Sequence, residues 1–338
     1  MKPITDNSVN EDWREGGFGL YIHWPFCQSK CPYCDFNSHV TAKIDQSRWK
    51  DAYLKEIDRA GQETIGRTLQ TVFFGGGTPS LMEPETVDAI VTKIRATWPT
   101  ANDIEITMEA NPSSVEVGRF NAYRQAGVNR VSVGVQALND ADLKALGRLH
   151  SVADALRAIE IAQHSFDRMS FDLIYARQGQ TLDAWHQELQ EALRLAQGHL
   201  SLYQLTIEDG TAFGDRFRRG LLRGLPDEDL GADMYMLTQD ATGAEGYHSY
   251  EVSNYAKFGE ESRHNCIYWN AGDYVGIGPG AHGRLTLAGE RWATEAKSNP
   301  SIWIHSIEED RTAEKRAKLS DDEQGTEYLM MGLRRDVG

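Results

Sequence analysis

The sequence has little cysteine, no long apolar run and fewer basic than acidic residues. Only four of its 338 residues are cysteine, too few for the disulfide framework typical of small secreted proteins. No apolar run approaches the roughly 20 residues that a membrane-spanning helix needs. The net charge of -15 argues against a general nucleic-acid or anionic-lipid surface. We therefore expect a cytoplasmic protein that is not transmembrane and has no nucleic-acid partner.

Strand-like and helix-like patterns alternate along most of the chain. Residues 1–17 are polar and acidic, without the apolar core of a signal peptide, and we expect a flexible leader. Six strand-like runs follow, each succeeded by helical periodicity, at 20–24, 71–74, 103–108, 130–135, 169–175 and 200–207. Such units predict an α/β fold with a parallel sheet and right-handed crossovers. We expect a partial (β/α)6 TIM-like barrel, because chemistry-bearing residues recur where the strands end.

Three of the four cysteines lie in one short segment after the first predicted strand. Cys27, Cys31 and Cys34 have the spacing C-x3-C-x2-C, and such runs of thiolates hold iron–sulfur clusters. Three ligands on a [4Fe–4S] cube leave one iron open to an external molecule. A zinc site is the alternative, with His23 or His39 near enough to supply a fourth ligand.

Polar and glycine residues follow the later predicted strands. The run Gly75-Gly76-Gly77-Thr78-Pro79 permits close backbone approach to a ligand. Phosphate is a rival ligand, but the Gly-Lys-Ser/Thr ending of a P-loop is absent. Carboxylate, amide and guanidinium groups come at the next strand ends, in Glu109, Gln136, Arg148 and Asp172. Glu109 also fits the start of a helix, but together these groups suit an adenosyl-amino-acid ligand.

These motifs resemble the radical S-adenosylmethionine (SAM) superfamily. Within it, four segments look like the oxygen-independent coproporphyrinogen III oxidase-like family and in particular its HemW-type haem chaperones: residues 21–27, 75–79, 134–136 and 172–175. The resemblance implies that a [4Fe–4S] cluster is bound by Cys27, Cys31 and Cys34 and that Tyr21 and Tyr33 lie close to the cluster and SAM. It also implies that Gly76, Gly77 and Thr78 bind the amino-acid end of SAM. Its polar groups would be bound by Glu109 and Asp172, and Gln136 and Arg148 would lie around its sulfonium and carboxylate.

Several departures from the family pattern favour the chaperones over the oxidases. The oxidases resemble C-x3-C-x2-C-x-C, whereas Phe36 stands here at the fourth cysteine position. The oxidases also carry an N-terminal segment that closes the substrate site, in place of which we find only a short polar leader. Both differences speak against decarboxylation of coproporphyrinogen.

A second motif implies a haem site. His264-Asn265-Cys266-Ile267-Tyr268-Trp269 matches the H-N-x-x-Y-W motif of the HemW group, which implies haem binding by His264. A neutral imidazole can ligate haem iron, and neighbouring aromatic rings offer flat faces to a porphyrin. Cys266 and His282 are alternative ligands with weaker support.

The resemblance also sets expectations for domains and function. We expect a radical SAM core at 18–242, a rim or cap region at 243–300 that contains the H-N-x-x-Y-W motif, and at 301–338 the start of a C-terminal domain that is cut short. Ala176-Arg177-Gln178 replaces the usual Gly-Leu-Pro of relatives, which leaves that loop's conformation open.

Three functional hypotheses follow. The first is a haem chaperone that binds haem, a [4Fe–4S] cluster and SAM and delivers haem to acceptor haemoproteins, with membrane-bound respiratory enzymes among the candidates and a homodimer left open. The second is a radical SAM oxidoreductase that acts on a tetrapyrrole. The third is a zinc-stabilised binding module.

Overall fold

The computed structural model describes residues 13–41, 43–114 and 117–335. Residues 1–12, most of the expected leader, lie outside the described residues. Strands are β1 (Phe18–Trp24), β2 (Phe26–Cys27), β3 (His39–Val40), β4 (Leu69–Gly76), β5 (Thr100–Ala110), β6 (Arg130–Gln136), β7 (Arg168–Tyr175), β8 (His199–Gln204), β9 (His248–Glu251), β10 (Asn254–Ala256), β11 (Asp273–Ile277), β12 (His282–Leu287), β13 (Glu290–Ala296) and β14 (Glu314–Lys318). Helices are α1 (Trp13–Gly16), α2 (Gln46–Glu63), α3 (Pro84–Thr97), α4 (Val117–Gln125), α5 (Asp140–Ala145), α6 (Val152–Ser165), α7 (Leu182–Leu195), α8 (Ala212–Arg218), α9 (Glu228–Ala244), α10 (Arg263–Trp269), α11 (Pro300–Glu308) and α12 (Asp321–Leu333).

One large sheet organises the molecule. Its twelve strands lie in the order β14-β13-β12-β11-β1-β4-β5-β6-β7-β8-β10-β9. The strands from β11 to β8 in this order run parallel, and the outer strands pair antiparallel. In the described part of the chain the sheet stays open, with β14 and β9 at its edges. The six predicted strands are β1 and β4 to β8, so the expected α/β fold of the partial-barrel type is confirmed.

Near-continuous apolar runs explain why the central strands are buried on both faces. Strand β1 is buried at every position but one, and Leu20, Ile22 and Trp24 have no exposed surface. Strands covered by helices on their crossovers require such near-continuous apolar sequence. The helices begin at polar caps: Asp45 accepts from the Arg48 backbone N–H, and Ser151 forms a capping box with Asp154.

Residues 243–300 add strands to both ends of the central sheet. Strand β11 lies parallel to β1, with Gly19 opposite Tyr274 and Ile22 opposite Ile277. At the other end β10 pairs antiparallel with β8. The expected boundaries between a core, a cap and a C-terminal domain stay predictions. In the described residues, no helix combines the length and the apolar character that crossing a membrane requires.

Candidate cofactor site

The cysteine loop is closed by a short parallel ladder at the carboxyl edge of the sheet. Phe26 pairs with His39 and Cys27 with Val40, so the intervening residues form a loop that carries the other two cysteines. Within it, the Cys34 backbone N–H donates to the Cys31 carbonyl at 3.1 Å. All three thiols are free and partly exposed. The fold therefore presents the three predicted ligands on one tied loop.

The surroundings of these thiols suit sulfur ligands. Thr78 Oγ1 donates to Cys27 Sγ and Arg148 Nη1 to Cys31 Sγ, both at 3.4 Å. Burial raises the pKa of the Cys27 and Cys34 thiols, and the neighbouring Cys31 raises both pKa values further. Bound iron, the hydroxyl and the guanidinium would all favour the thiolate form. The donor set thus fits an iron–sulfur cluster chemically.

The described residues contain no preformed site for a single metal ion. Across residues 13–41, 43–114 and 117–335, no group of three or more His, Cys, Asp or Glu side chains is positioned to hold a metal ion. Of the two histidines considered for zinc, His23 uses Nδ1 with the Tyr21 hydroxyl and Nε2 with the Asn37 carbonyl. Ligation of a cluster by all three cysteines stays a prediction.

Glycines allow the end of β4 to pack against the cysteine loop. Gly76 has a φ of +109°, and a Cβ there would lie 2.7 Å from the His23 ring. A Cβ on Gly77 would lie 2.7 Å from the Phe26 carbonyl oxygen. Any larger residue would push the strand end away from the loop. The close packing lets the Gly76 backbone N–H donate to Glu109 Oε2 at 3.2 Å.

Two carboxylates, Glu109 and Asp172, face this strand end. Asp172 accepts from the Val135 backbone N–H at 2.9 Å and from Gln136 Nε2 at 2.8 Å. Gln136 has a φ of +72°, a strained conformation of the kind found at binding sites. Burial raises the pKa of both acids, and for Glu109, with Asp172 as the second cause, it reaches about 8. The pair can therefore hold a proton near neutral pH.

Arg148 links the carboxylates to the cysteine loop. Its Nη2 donates to the Gly134 carbonyl at 2.8 Å, while its buried Nε has no recorded partner in the described structure. The guanidinium lowers the pKa of Asp172 against the larger effect of burial. A shallow pocket beside it is lined by Gln28, Ser29, Cys31, Thr78, Asn111, Ser113, Gly147, Arg148 and Leu149. An anionic group placed there would lie beside the positively charged guanidinium of Arg148.

The two predicted tyrosines lie on different sides of this site. The Tyr21 hydroxyl bonds His23 Nδ1 at 3.0 Å, and burial with nearby Glu109 raises its pKa. Tyr33, between two cysteines, lies 6.3 Å from the Phe213 ring, centroid to centroid. It packs on a small cluster that includes Leu143 and Leu146. Tyr33 therefore anchors the cysteine loop to the elements beside it.

His264 lies toward the amino ends of the parallel strands, away from the carboxyl edge that carries the cysteine loop. Its Nδ1 shares a 2.7 Å hydrogen bond with Thr71, which precedes Gly76 by five residues on β4, or roughly 16 Å of strand. Its Nε2 lies 2.6 Å from the Tyr268 hydroxyl. Burial lowers the pKa of His264 to about 3 and raises that of the Cys266 thiol to about 11. The structure thus brings together most of the residues predicted to bind SAM. His264 lies deeper, with its ring stacked on Phe73, which also stacks on Tyr21, while His282 is exposed on β12.

No pattern in the sequence singled out Asn37, which fastens the cysteine loop. Its Nδ2 donates to the Pro279 and Ser298 carbonyls, both at 2.8 Å. Its Oδ1 shares a bond with His39 Nε2. These partners come from distant segments, so only the fold reveals them. Asn37 acts as a clamp between the cysteine loop and the turn before β12.

Arg177 is the second residue that sequence reasoning missed. It lies in the loop whose conformation the sequence left undetermined. There Ala176 has a φ of +57°, at the position where the family resemblance leads us to expect glycine. Arg177 is buried, and its Nη2 donates to Glu188 at 2.6 Å and to Asp142 at 2.8 Å. Asp142 is on α5, whose end leads to Arg148. The departure in sequence therefore marks a buried ion network behind the site.

Comparisons with known proteins agree with this geometry. Residues 21–192 match the family described as the Radical SAM superfamily. The chain is 43% identical over 270 residues to the heme chaperone HemW of Escherichia coli K12, covering 79% of this chain and 70% of that protein. It is 39% identical over 325 residues to the mitochondrial radical S-adenosyl methionine domain-containing protein 1 of Bos taurus, covering 94% and 73%.

A solved structure supports the fold. The coproporphyrinogen III oxidase HemN of Escherichia coli, described as a radical SAM enzyme, superposes with a TM-score of 0.80 at 21% identity, over 95% of this chain and 76% of that one. The chain belongs to the radical SAM superfamily and, within it, to the family of its HemW relatives. Membership of this superfamily implies a [4Fe–4S] cluster and SAM.

Proposed function

We propose that this protein is a haem chaperone that binds haem, a [4Fe–4S] cluster and SAM and passes haem to acceptor haemoproteins. The observation that carries the proposal is the 43% identity to a protein named heme chaperone HemW. Phe36 at the position of the oxidases' fourth cysteine supports it. The haem acceptor, a cytoplasmic location and a homodimer remain predictions. The relatives do not decide the location, because both bacterial and mitochondrial proteins match.

Different residues at the carboxyl edge of the sheet would bind the cluster, contact SAM and hold a proton. Cys27, Cys31 and Cys34 would hold the cluster, which supplies an open iron position and an electron when bound. Arg148 would place positive charge beside the thiolates and a carboxylate of SAM. Glu109 would hold or release a proton as cationic SAM arrives, because a nearby positive charge favours the ionised acid.

A second candidate is a radical SAM oxidoreductase that acts on a tetrapyrrole. One observation favours it: the residues expected to bind SAM are assembled, whereas both nitrogens of His264 are engaged by Thr71 and Tyr268. In this reading the sheet edge would orient the substrate and exclude water from the radical chemistry that the cofactor provides.

One anaerobic experiment separates the two. The protein is reconstituted with iron and sulfide and titrated with haem while spectra are recorded, with SAM and reductant present or absent. Stoichiometric haem binding without steady 5′-deoxyadenosine production supports the chaperone. Steady 5′-deoxyadenosine production coupled to loss of coproporphyrinogen, with no haem binding, supports the oxidoreductase instead.

A further inference from the structure

Helix α8 and the turn after it form a basic segment in an acidic protein. Residues 212–223 read AFGDRFRRGLLR, with four arginines and one aspartate, while the whole chain carries -15. The helix begins at Thr211, whose Oγ1 accepts from the Gly214 backbone N–H at 3.0 Å. Phe213 and Leu222 are buried, which holds both ends of the segment on the protein. The arginines between these anchors are displayed outward.

This segment is attached to the cysteine loop. The Phe213 backbone N–H donates to the Pro32 carbonyl at 2.8 Å, and the Phe213 ring contacts Tyr33. Residues three and four positions apart share a helix face. Arg216 and Phe217 therefore continue the Phe213 face, one turn beyond the contact with the loop. Both residues are exposed and lie one helical turn from the contact of Phe213 with the cysteine loop.

The four arginines of the segment differ in their ion pairs. Arg218 forms ion pairs with Asp209 and Asp215. Among the residues that the structure describes, no carboxylate partner is recorded for Arg216, Arg219 or Arg223.

Two large apolar side chains lie among these arginines. Phe217 is 55% and Leu221 64% exposed. We call Arg216, Phe217, Arg219, Leu221 and Arg223 the α8 patch. It combines guanidinium groups that have no carboxylate partner in the described residues with two exposed apolar side chains, which together suit a ligand that is both anionic and apolar.

We propose that the α8 patch is a docking site for the carboxylate side of a dicarboxylate tetrapyrrole. This inference rests on the proposed function, which supplies haem as the ligand. Haem joins two propionate carboxylates to a flat apolar ring. Guanidinium groups bind carboxylates in bidentate fashion, and Phe217 and Leu221 would contact the ring. Docking here places the tetrapyrrole beside the cysteine loop, away from the enclosed His264.

The test compares haem with haem dimethyl ester, whose two carboxylates are capped. Both are titrated into the anaerobically reconstituted protein and followed by the Soret band. The variant is Arg216→Gln combined with Arg219→Gln, and the matched control is Arg218→Gln, since that guanidinium is already paired. We expect the double variant to bind haem at least about tenfold more weakly and to bind the ester as the unchanged protein does. The control should bind both like the unchanged protein.

The other outcomes separate this inference from the proposed function. If the unchanged protein binds no haem, both the proposed function and the α8 patch are wrong. If it binds haem but the double variant matches it, only the α8 patch is wrong and haem docks elsewhere. If the double variant keeps its haem affinity yet loses binding to phosphatidylglycerol vesicles, lipid is the occupant and the inference is overturned. Melting curves of each variant show that a loss of binding is not a loss of folding.

Discussion

The Nε2 atom of His264 lies 2.6 Å from the hydroxyl oxygen of Tyr268, the tyrosine of the same H-N-x-x-Y-W motif. The contact occupies the nitrogen that a haem iron would need. Ligation by His264 therefore requires Tyr268 to give up this bond. Tyr268, which belongs to the motif that suggests a haem site, would therefore compete with haem iron for His264.

Replacing Tyr268 with Phe tests this competition. If haem binds His264 through Nε2, the variant should bind haem up to about tenfold more tightly, since one buried hydrogen bond no longer has to break. His264→Ala should weaken binding, measured by the same Soret titration. Tyr328→Phe, at an exposed tyrosine on α12, is the control. Equal haem affinity in all variants would remove His264 from the haem site.

The buried pair of Arg177 and Glu188 should contribute strongly to stability. Arg177→Met leaves the Glu188 carboxylate buried without its cation and should lower the free energy of unfolding by about 3–5 kcal/mol. The double variant with Glu188→Met should lose much less, because no charge is stranded. Urea unfolding measures both. Arg218→Met breaks only exposed ion pairs and should cost about 0–1 kcal/mol; a similar cost for Arg177→Met contradicts the prediction.

Glu109 should make the cofactor-free protein less stable as pH rises. Its pKa is about 8 in the folded chain against an ordinary value of 4.5. Between these values the folded state holds a proton that the unfolded state has released, so stability falls with increasing pH. Glu109→Gln should flatten this slope and raise Tm at pH 8, with little difference near pH 4.5. Thermal melts across this range test it, with exposed Glu160→Gln as control; parallel pH profiles would contradict it.

Asn37 should control how firmly the cysteine loop is held. Asn37→Ala removes two donors and leaves the Pro279 and Ser298 carbonyls to find other partners, at a cost of about 1–3 kcal/mol. We expect the reconstituted cluster to be lost severalfold faster to a chelator, followed as decay of its visible absorbance. Asn121→Ala, at an exposed position of α4, should leave the rate unchanged. A rate for Asn37→Ala equal to that of the control rules out the clamp.

Local patterns predicted the repeating part of the fold and which residues end its neighbouring strands, and the reasons are physical. Apolar runs such as 130–135 must be buried, so the six strands and their helices follow from periodicity alone. Glu109, Gln136 and Asp172 end neighbouring parallel strands, which brings them together. Strand β11 carries no local sign that it will pair with β1.

Long-range polar contacts account for what sequence reasoning missed. The side chain of Asn37 and the ion network of Arg177 depend on partners that only folding supplies. The burial of His264 between Thr71 and Tyr268 depends on tertiary packing in the same way.

The clamp made by Asn37 also has a consequence for biosynthesis. Asn37 and Pro279 are 242 residues apart in sequence, so the cysteine loop emerges from the ribosome long before its fastening exists. At about 5–20 residues per second, that interval lasts roughly 12 to 50 seconds. We therefore expect the cysteine loop to hold a cluster firmly only after the turn that contains Pro279 has been made.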